Sequence, residues 1–287
     1  MTDFIGALGQ YPFLQNALAA ILLASLGCGM VGSYVVVKRI GFLAGGIAHT
    51  VLGGVGAALF FGFGATSGAL LSAVASALLI GWVSLRRRER EDTLIGALWT
   101  IGMAAGILFI SATPGYNTDL MSYLFGNILM VTREDLALMA LLDLAMLAIV
   151  AGFYHSLLAV SFDEEFARLR GLPVTFLYLL LLCLVAVTVV LLIRVVGLIL
   201  VIALLTLPAA TAGHHVHTLG RMMVFATAIG IAVSTTGLAV SFHYDLPSGA
   251  TIVLVAAGVY LLSLLLSPVL QGLRTAVSRG GRGTSGS

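Results

Sequence analysis

Residues 136–193 read LALMALLDLAMLAIVAGFYHSLLAV, then SFDEEFARLRGLP, then VTFLYLLLLCLVAVTVVLLI. The two outer runs are apolar, and each reaches the ~20 residues that a helix needs to cross a bilayer. The piece between them, 161–173, is a charged island that reads as one amphipathic helix over about 161–171. Ser161 and Glu164 have the spacing of a capping box, and Asp163, Glu164 and Glu165 fall in the first turn, where the helix dipole favours carboxylates. Arg168 and Arg170 sit near the other end, and Gly171 then Pro173 stop the helix. Phe162, Phe166 and Leu169 recur at i, i+4 and i+7, leaving an apolar stripe on a piece too small to have its own core. Such a stripe at a membrane surface calls for a partner protein.

Composition extends this pattern to the whole chain. Of the 287 residues, 60% are hydrophobic and 9% charged, and mean hydropathy is +1.12, against roughly 25% charged in a soluble domain. Apolar stretches of spanning length lie near 14–37, 42–62, 66–85, 93–113, 136–158, 174–193, 195–213, 222–241 and 249–267. The expected fold is therefore all-α and polytopic, with about nine transmembrane helices (about eight to ten) in one domain over 1–273. The Gly- and Ser-rich tail over 274–287 is expected to be disordered. The first apolar segment lacks a basic flank and a small-residue cleavage site, so it reads as a retained helix. Cys28 and Cys183 both fall inside apolar segments and support neither a disulfide framework nor a thiolate metal site.

Basic residues set the expected orientation. Lys38, Arg39, Arg86, Arg87, Arg88, Arg90, Arg168, Arg170, Arg221, Arg274, Arg279 and Arg282 fall on one side of the spans. Only Arg133 and Arg194 fall on the other. The positive-inside rule makes the first side cytoplasmic. The N-terminus is then outside, the C-terminus inside, and the island faces the cytoplasm. The net charge of +2 is this anchoring bias; no basic stripe points to nucleic acid, and the surrounding partner is lipid.

Glycines 27, 29 and 32 in the first span and 45, 46, 53, 54 and 56 in the second let helices approach closely. Gly53-Gly54 in mid-span also fits a helix loosened beside a pathway. Leu120 to Val131 is apolar but too short to cross, so an interfacial or re-entrant helix is expected there.

Polar residues inside the membrane are the natural functional candidates. His49 lies deep in the second span. It serves a cation path, neutral imidazole being a common ligand for first-row metals, or it donates to a neighbouring carbonyl. His243 and Asp245 could strip a cation's hydration shell at an outer mouth, or form a solvated turn with Asp245 capping and Pro247-Ser248-Gly249 turning the chain. Asp119 fits an outer docking surface or a cation entrance. Asp143 is buried in the fifth span, as a pathway carboxylate or a structural hydrogen-bonder. His214, His215 and His217 form a solvated interfacial cluster or an exit-side feature. Arg194 is expected to snorkel, and His155 to be interfacial.

Several chemistries are excluded. No G-x-x-x-x-G-K-[ST] loop exists and Lys38 is the sole lysine, so a P-loop ATP site is absent. An H-E-x-x-H signature is missing as well. Ser72 and Ser76 have no base that the sequence identifies.

Five stretches together carry a resemblance: GSYVVVKRIGFLAGGIAHTVLGG from Gly32, DLMSYLFGNILMVTREDL from Asp119, the island with RGLPV, VVGLILVIALLTLPAATA from Val195, and FHYDLPSGATIVL from Phe242. In combination and order the chain resembles the permease subunits of ATP-binding-cassette importers for zinc, manganese and iron, and is most similar to the zinc-uptake members. The resemblance implies no enzyme activity and no permanently bound cofactor. It implies two copies of this chain in a bacterial or archaeal plasma (inner) membrane, docked to a cytoplasmic ATPase dimer and supplied by an extracytoplasmic metal-binding protein. The island becomes the coupling helix, with Phe162, Glu165, Phe166, Leu169 and Gly171 at the ATPase.

In that family the second span carries a Gly-Asp-x-x-x-His signature whose Asp and His line the cation path. His49 matches the histidine, while Gly45 stands where the aspartate is expected. Asp245 falls in the family's D-x-P-[ST]-G stretch at the outer end of the path, with His243 beside it. Losing a carboxylate shifts the donor balance toward imidazole nitrogen, which suits zinc better than manganese; iron ranks third. Asp119 to Gly126 also resembles the zinc-type permeases. The expected mechanism is alternating access driven by the partner ATPase. The rival readings are a permease for a larger chelate such as a siderophore, and a secondary cation transporter, which would need coupling carboxylates within its spans.

Overall fold

The computed structural model describes the backbone of residues 2–86, 91–113, 126, 128–197 and 201–280, with side chains described between 6 and 266. Its regular elements are all helical: α1 (Thr2–Gln10), α2 (Pro12–Lys38), α3 (Gly41–Phe60), α4 (Ala65–Arg86), α5 (Glu91–Ala112), a 3-10 turn at Ile128–Met130, α6 (Arg133–Phe162), α7 (Glu164–Leu169), α8 (Val174–Val196), α9 (Val201–Gly213), α10 (Leu219–Tyr244) and α11 (Ser248–Gly280). Eight of them, α2 to α6, α8, α10 and α11, are long and apolar enough to cross a bilayer. All eight fall on stretches expected to span, with ends shifted by a few residues.

The ninth stretch, 195–213, is different. α8 runs on to Val196 and stops at Gly197, whose φ of 81° suits glycine. What remains is α9, of 13 residues, about 20 Å at ~1.5 Å per residue and short of the ~30 Å hydrocarbon core. Pro208 inside it removes one backbone donor. The sequence reading did not anticipate α1. At the other end α11 continues to Gly280, past residue 274, where a loose tail was expected. Asp119, Arg87, Arg88, Arg90, Arg282 and most of the apolar stretch from Leu120 lie outside the described residues, as do the side chains of Arg194, Arg274 and Arg279.

α2 is the hub: it packs against α6, α8, α9 and α10. Leu14, Ala17, Ala20, Val31 and Tyr34 along it have no exposed surface. Large apolar side chains also cover the outside of the bundle, Leu108, Leu141, Leu254 and Leu265 among them. A surface of this kind fits hydrocarbon, where a helix apolar all round needs no polar face.

The tightest pairing is between α3 and α5, which run parallel. A Cβ on Gly53 would lie 2.9 Å from the Gly102 carbonyl oxygen, and one on Gly56 would lie 2.7 Å from that of Gly106. Thr50 Oγ1 donates to Gly46 O at 2.8 Å and also lies 3.3 Å from Leu98 O, tying the two helices in the same register. Gly53 thus serves α5, while the next residue, Gly54, faces Gly68 and Ser72 of α4. α3 stays helical through both, so the glycines of mid-span bring neighbours close rather than loosening the helix.

The island departs from its expected cap. α6 continues through Ser161 and Phe162, because Leu157 and Val160 keep its last turns anchored in the core. Asp163, with extended dihedrals, is the N-cap of α7, and its Oδ1 accepts from Phe166 N at 2.9 Å. Ser161 Oγ is buried without a hydrogen-bond partner among the described residues. An aspartate caps as well as a serine, so the cap moves to where α6 ends. Gly171 (φ 75°) closes α7, with Gly171 N–H donating to Arg168 O and Leu172 N–H to Ala167 O.

An ion pair joins the island to the bundle. Lys38 Nζ, at the end of α2, lies 2.7 Å from Glu164 Oε1, with side chains 9% and 26% exposed. The ammonium also sits 5.0 Å from the centre of the Tyr178 ring on α8. Sequence reading assigned Lys38 only to the basic count, since nothing local pairs positions 38 and 164.

Lys38→Met is expected to cost about 1.5–3 kcal/mol, the range for a hydrogen bond to a charged group, read as a lower unfolding midpoint in detergent. The double variant with Glu164→Gln should recover part of that loss. On α5, Gly102→Leu should destabilise by about 1–3 kcal/mol or more through overpacking, whereas Gly96→Ala, which meets nothing within 4 Å, should be tolerated.

Candidate functional site

His49 sits on α3 and is 9% exposed. Its ring stacks on Trp99 of α5, with centroids 3.9 Å apart and planes 16° from parallel. Its Nδ1 is buried with no hydrogen-bond partner among the described residues. A polar ring atom left unpaired in an apolar bundle is costly, and a nitrogen in that condition can take a cation. The aromatic row continues to Phe42, 6.0 Å from Trp99.

Gly45, one turn before His49, is closely approached by two side chains. A Cβ there would lie 2.8 Å from Ile202 Cδ1 on α9 and 3.2 Å from Trp99 Cζ3. Trp99 and Ile202 therefore crowd the space that a side chain at 45 would enter. Sequence reading noticed the glycine but missed Trp99, because a tryptophan in an aliphatic span carries no local sign of what it covers.

The other proposed ligands are spread over the molecule. His243 and Asp245 are exposed at the end of α10, where Asp245 (φ 51°) is the C-cap and its N–H donates to Ser241 O. Ser241 Oγ donates to Leu246 O at 2.6 Å and fastens the same turn. At the opposite end of α10, Thr218, Leu219, His214 and His217 line a cavity of about 640 Å³ with Arg39, Phe162 and Tyr260. The histidine cluster is thus at the island end of the bundle, and α10 separates it from His243 by about 37 Å at ~1.5 Å per residue. His214 Nδ1 and His215 Nε2 both contact Ser263 Oγ, at 3.2 and 3.1 Å. Among the described residues no three His, Cys, Asp or Glu stand together as a metal site.

Asp143 is 2% exposed on α6, and neither carboxylate oxygen has a hydrogen-bond partner among the described residues. The structural hydrogen bond expected as one alternative is therefore not found among the described residues. Gly27 on α2 leaves room for the group, since a Cβ on Gly27 would lie 2.9 Å from Asp143 Oδ1.

The stripe on the island survives its change of cap. Phe162 is 66%, Phe166 47% and Leu169 87% exposed, and Glu165 and Gly171 are exposed with them. Phe162 belongs to the last turn of α6 and the other two to α7, while Ala167 is fully buried beneath. Arg170 lies 4.7 Å over the Phe166 ring. This is a small, firmly seated apolar surface with charged edges.

Known proteins are similar to this chain in sequence or in structure. A Synechocystis membrane protein, described as uncharacterised, is 48% identical over 255 residues, covering 89% of this chain and 91% of its own. The manganese transport system membrane protein MntC of Halalkalibacterium halodurans is 37% identical over 282 residues, covering 98% of this chain and 96% of its own. In the solved structure of PsaBC from Streptococcus pneumoniae in complex with a Fab, one chain superposes with a TM-score of 0.86 at 32% identity, covering 96% of this chain and 99% of that one. The family description that fits residues 10–267 is the ABC 3 transport family. Eight helices of spanning length among the described residues, the absence of a phosphate loop from the sequence and a match over nearly the whole length agree: this chain belongs to the ABC 3 transport family, as a membrane permease subunit whose ATPase is a separate chain.

Proposed function

We propose that the chain imports a divalent first-row metal cation, with His49 as the transient ligand inside the membrane. The observation that carries this is the unpartnered, buried Nδ1 of His49 on a helix locked against its neighbour. Neutral imidazole suits zinc, and Gly45 supplies no hard oxygen donor beside it, so zinc is the ion we favour. Manganese is the second reading, because the name of the 37%-identical relative from Halalkalibacterium assigns it that metal. Iron and a chelate-bound metal follow. Asp245 and His243 would meet the cation at the outer end, together with Asp119. The His214, His215 and His217 cluster is a lesser, exit-side candidate.

In this reading two copies of the chain pair in a bacterial membrane, with the island end in the cytoplasm and the N-terminus outside. An ATPase dimer docks on Phe162, Glu165, Phe166, Leu169 and Gly171, and an extracytoplasmic binding protein delivers the ion. ATP binding and hydrolysis move α7, and the ion pair with Lys38 links that movement to α2 and the start of α3. The site must be weak enough to release its ion, since transit requires departure as well as capture.

Uptake of radiolabelled zinc, with manganese and iron as competitors, tests the cargo. Unlabelled zinc should compete better than either, and stronger inhibition by manganese than by unlabelled zinc would replace the zinc reading with the manganese one. His49→Ala should reduce uptake by about tenfold or more, the scale of losing a first ligand or its support, with membrane insertion unchanged. Unaltered uptake would remove His49 from the path. Phe166→Asp and Leu169→Asp should each abolish co-purification with the ATPase in mild detergent, and retention of the complex would show that docking lies elsewhere.

A further inference from the structure

We propose that Trp99 is the positioning residue of the site: its indole holds the His49 ring in the one orientation that presents nitrogen to the cation, and Gly45 is small in order to seat that indole. The proposal rests on the reading of His49 as a cation ligand.

An imidazole turns about a broad, weakly restrained terminal torsion. Ligand histidines are usually fixed by a hydrogen bond from the second ring nitrogen to a carboxylate, carbonyl or water. At His49 neither ring nitrogen has a hydrogen-bond partner among the described residues, so no such bond turns the ring to present Nδ1. The near-parallel stack at 3.9 Å supplies the restraint instead, because rotating the imidazole would drive its edge into the indole. Aromatic pairs of this kind contribute about 0.5–1.5 kcal/mol beyond burial.

The backbone is built to hold the stack. Thr50, next to His49, and Leu98, next to Trp99, are joined through Thr50 Oγ1. One turn further on, Gly102 lies so close to α3 that a Cβ on it would stand 2.5 Å from Thr50 Cα. Such contacts leave α3 and α5 no freedom to slide, so the two rings stay in register. Gly45 completes the seat, since any side chain there meets Trp99 Cζ3 and Ile202 Cδ1.

The chain has two tryptophans, and Trp82 is half exposed beside Arg86 on α4. The full-length chain with Trp82→Phe therefore carries one indole reporter, against His49. Titration of this protein in detergent with zinc chloride, and separately with manganese chloride, should change Trp99 emission in step with metal binding measured by equilibrium dialysis. His49→Ala should abolish both. Trp99→Leu should weaken metal affinity about 10–100-fold, the range for removing a partner that orients a ligand histidine, while Trp99→Phe, which keeps a stacking face, should stay much closer to the parent. Gly45→Ala should weaken binding too, because its Cβ crowds Trp99 Cζ3 and shifts the indole while both ring residues stay in place. Affinities in Trp99→Leu and Gly45→Ala equal to the parent would overturn the proposal, as would His49-dependent binding that leaves Trp99 emission unmoved. Metal binding that survives His49→Ala would remove the cation reading itself, and this proposal with it.

Discussion

Helices surrounded by lipid gain little from hiding apolar side chains, since hydrocarbon tails are as apolar as leucine. Association then depends on backbone contact and on polar groups with nowhere else to go. In this chain the contact between α3 and α5 carries that requirement, through Gly53 against Gly102 and Gly56 against Gly106. The same closeness presses Trp99 onto His49 and fixes the level at which the imidazole stands. Packing and site geometry are one constraint here: any side chain that wedges the helices apart also unseats the ring.

Charge is used as sparingly. The sole lysine is spent on Glu164, where it is nearly buried and sits over the Tyr178 ring. The pair joins three elements: the end of the hub helix, the small helix α7 and the start of α8. Breaking such a pair leaves an ion in a poorly solvated place, which is why partial burial makes it a firm joint. It also leaves the stripe of Phe166 and Leu169 facing outward while Ala167 is held beneath. A helix as short as α7 has no independent stability in water; its seat on the bundle supplies it.

Much of the fold was legible in the linear sequence. Apolar runs of spanning length located eight helices, and the alternation of basic residues predicted which ends share a face. The site was legible only in part. His49 stood out because an ionisable group in an apolar run is rare, and Gly45 stood out by resemblance. Trp99 could not be found, because its partner is on another helix and no local spacing connects 49 with 99. Lys38 and Glu164 escaped for the same reason. The expected cap at Ser161 failed because cap and capped helix were judged locally, while burial of Leu157 and Val160 carried α6 two residues further.

Hydropathy and periodicity by themselves determined that the chain is an all-helical membrane protein with a charged, amphipathic island and no nucleotide loop. These are sums over neighbours in the chain, and need no knowledge of what lies across the bundle. Only the tertiary structure decided that α9 is too short to span the core, that Asp163 caps the island, that Lys38 anchors it, and that an indole rather than a carboxylate stands beside His49. Each of those is a contact or a boundary between residues far apart in sequence, fixed when the helices meet at backbone distance.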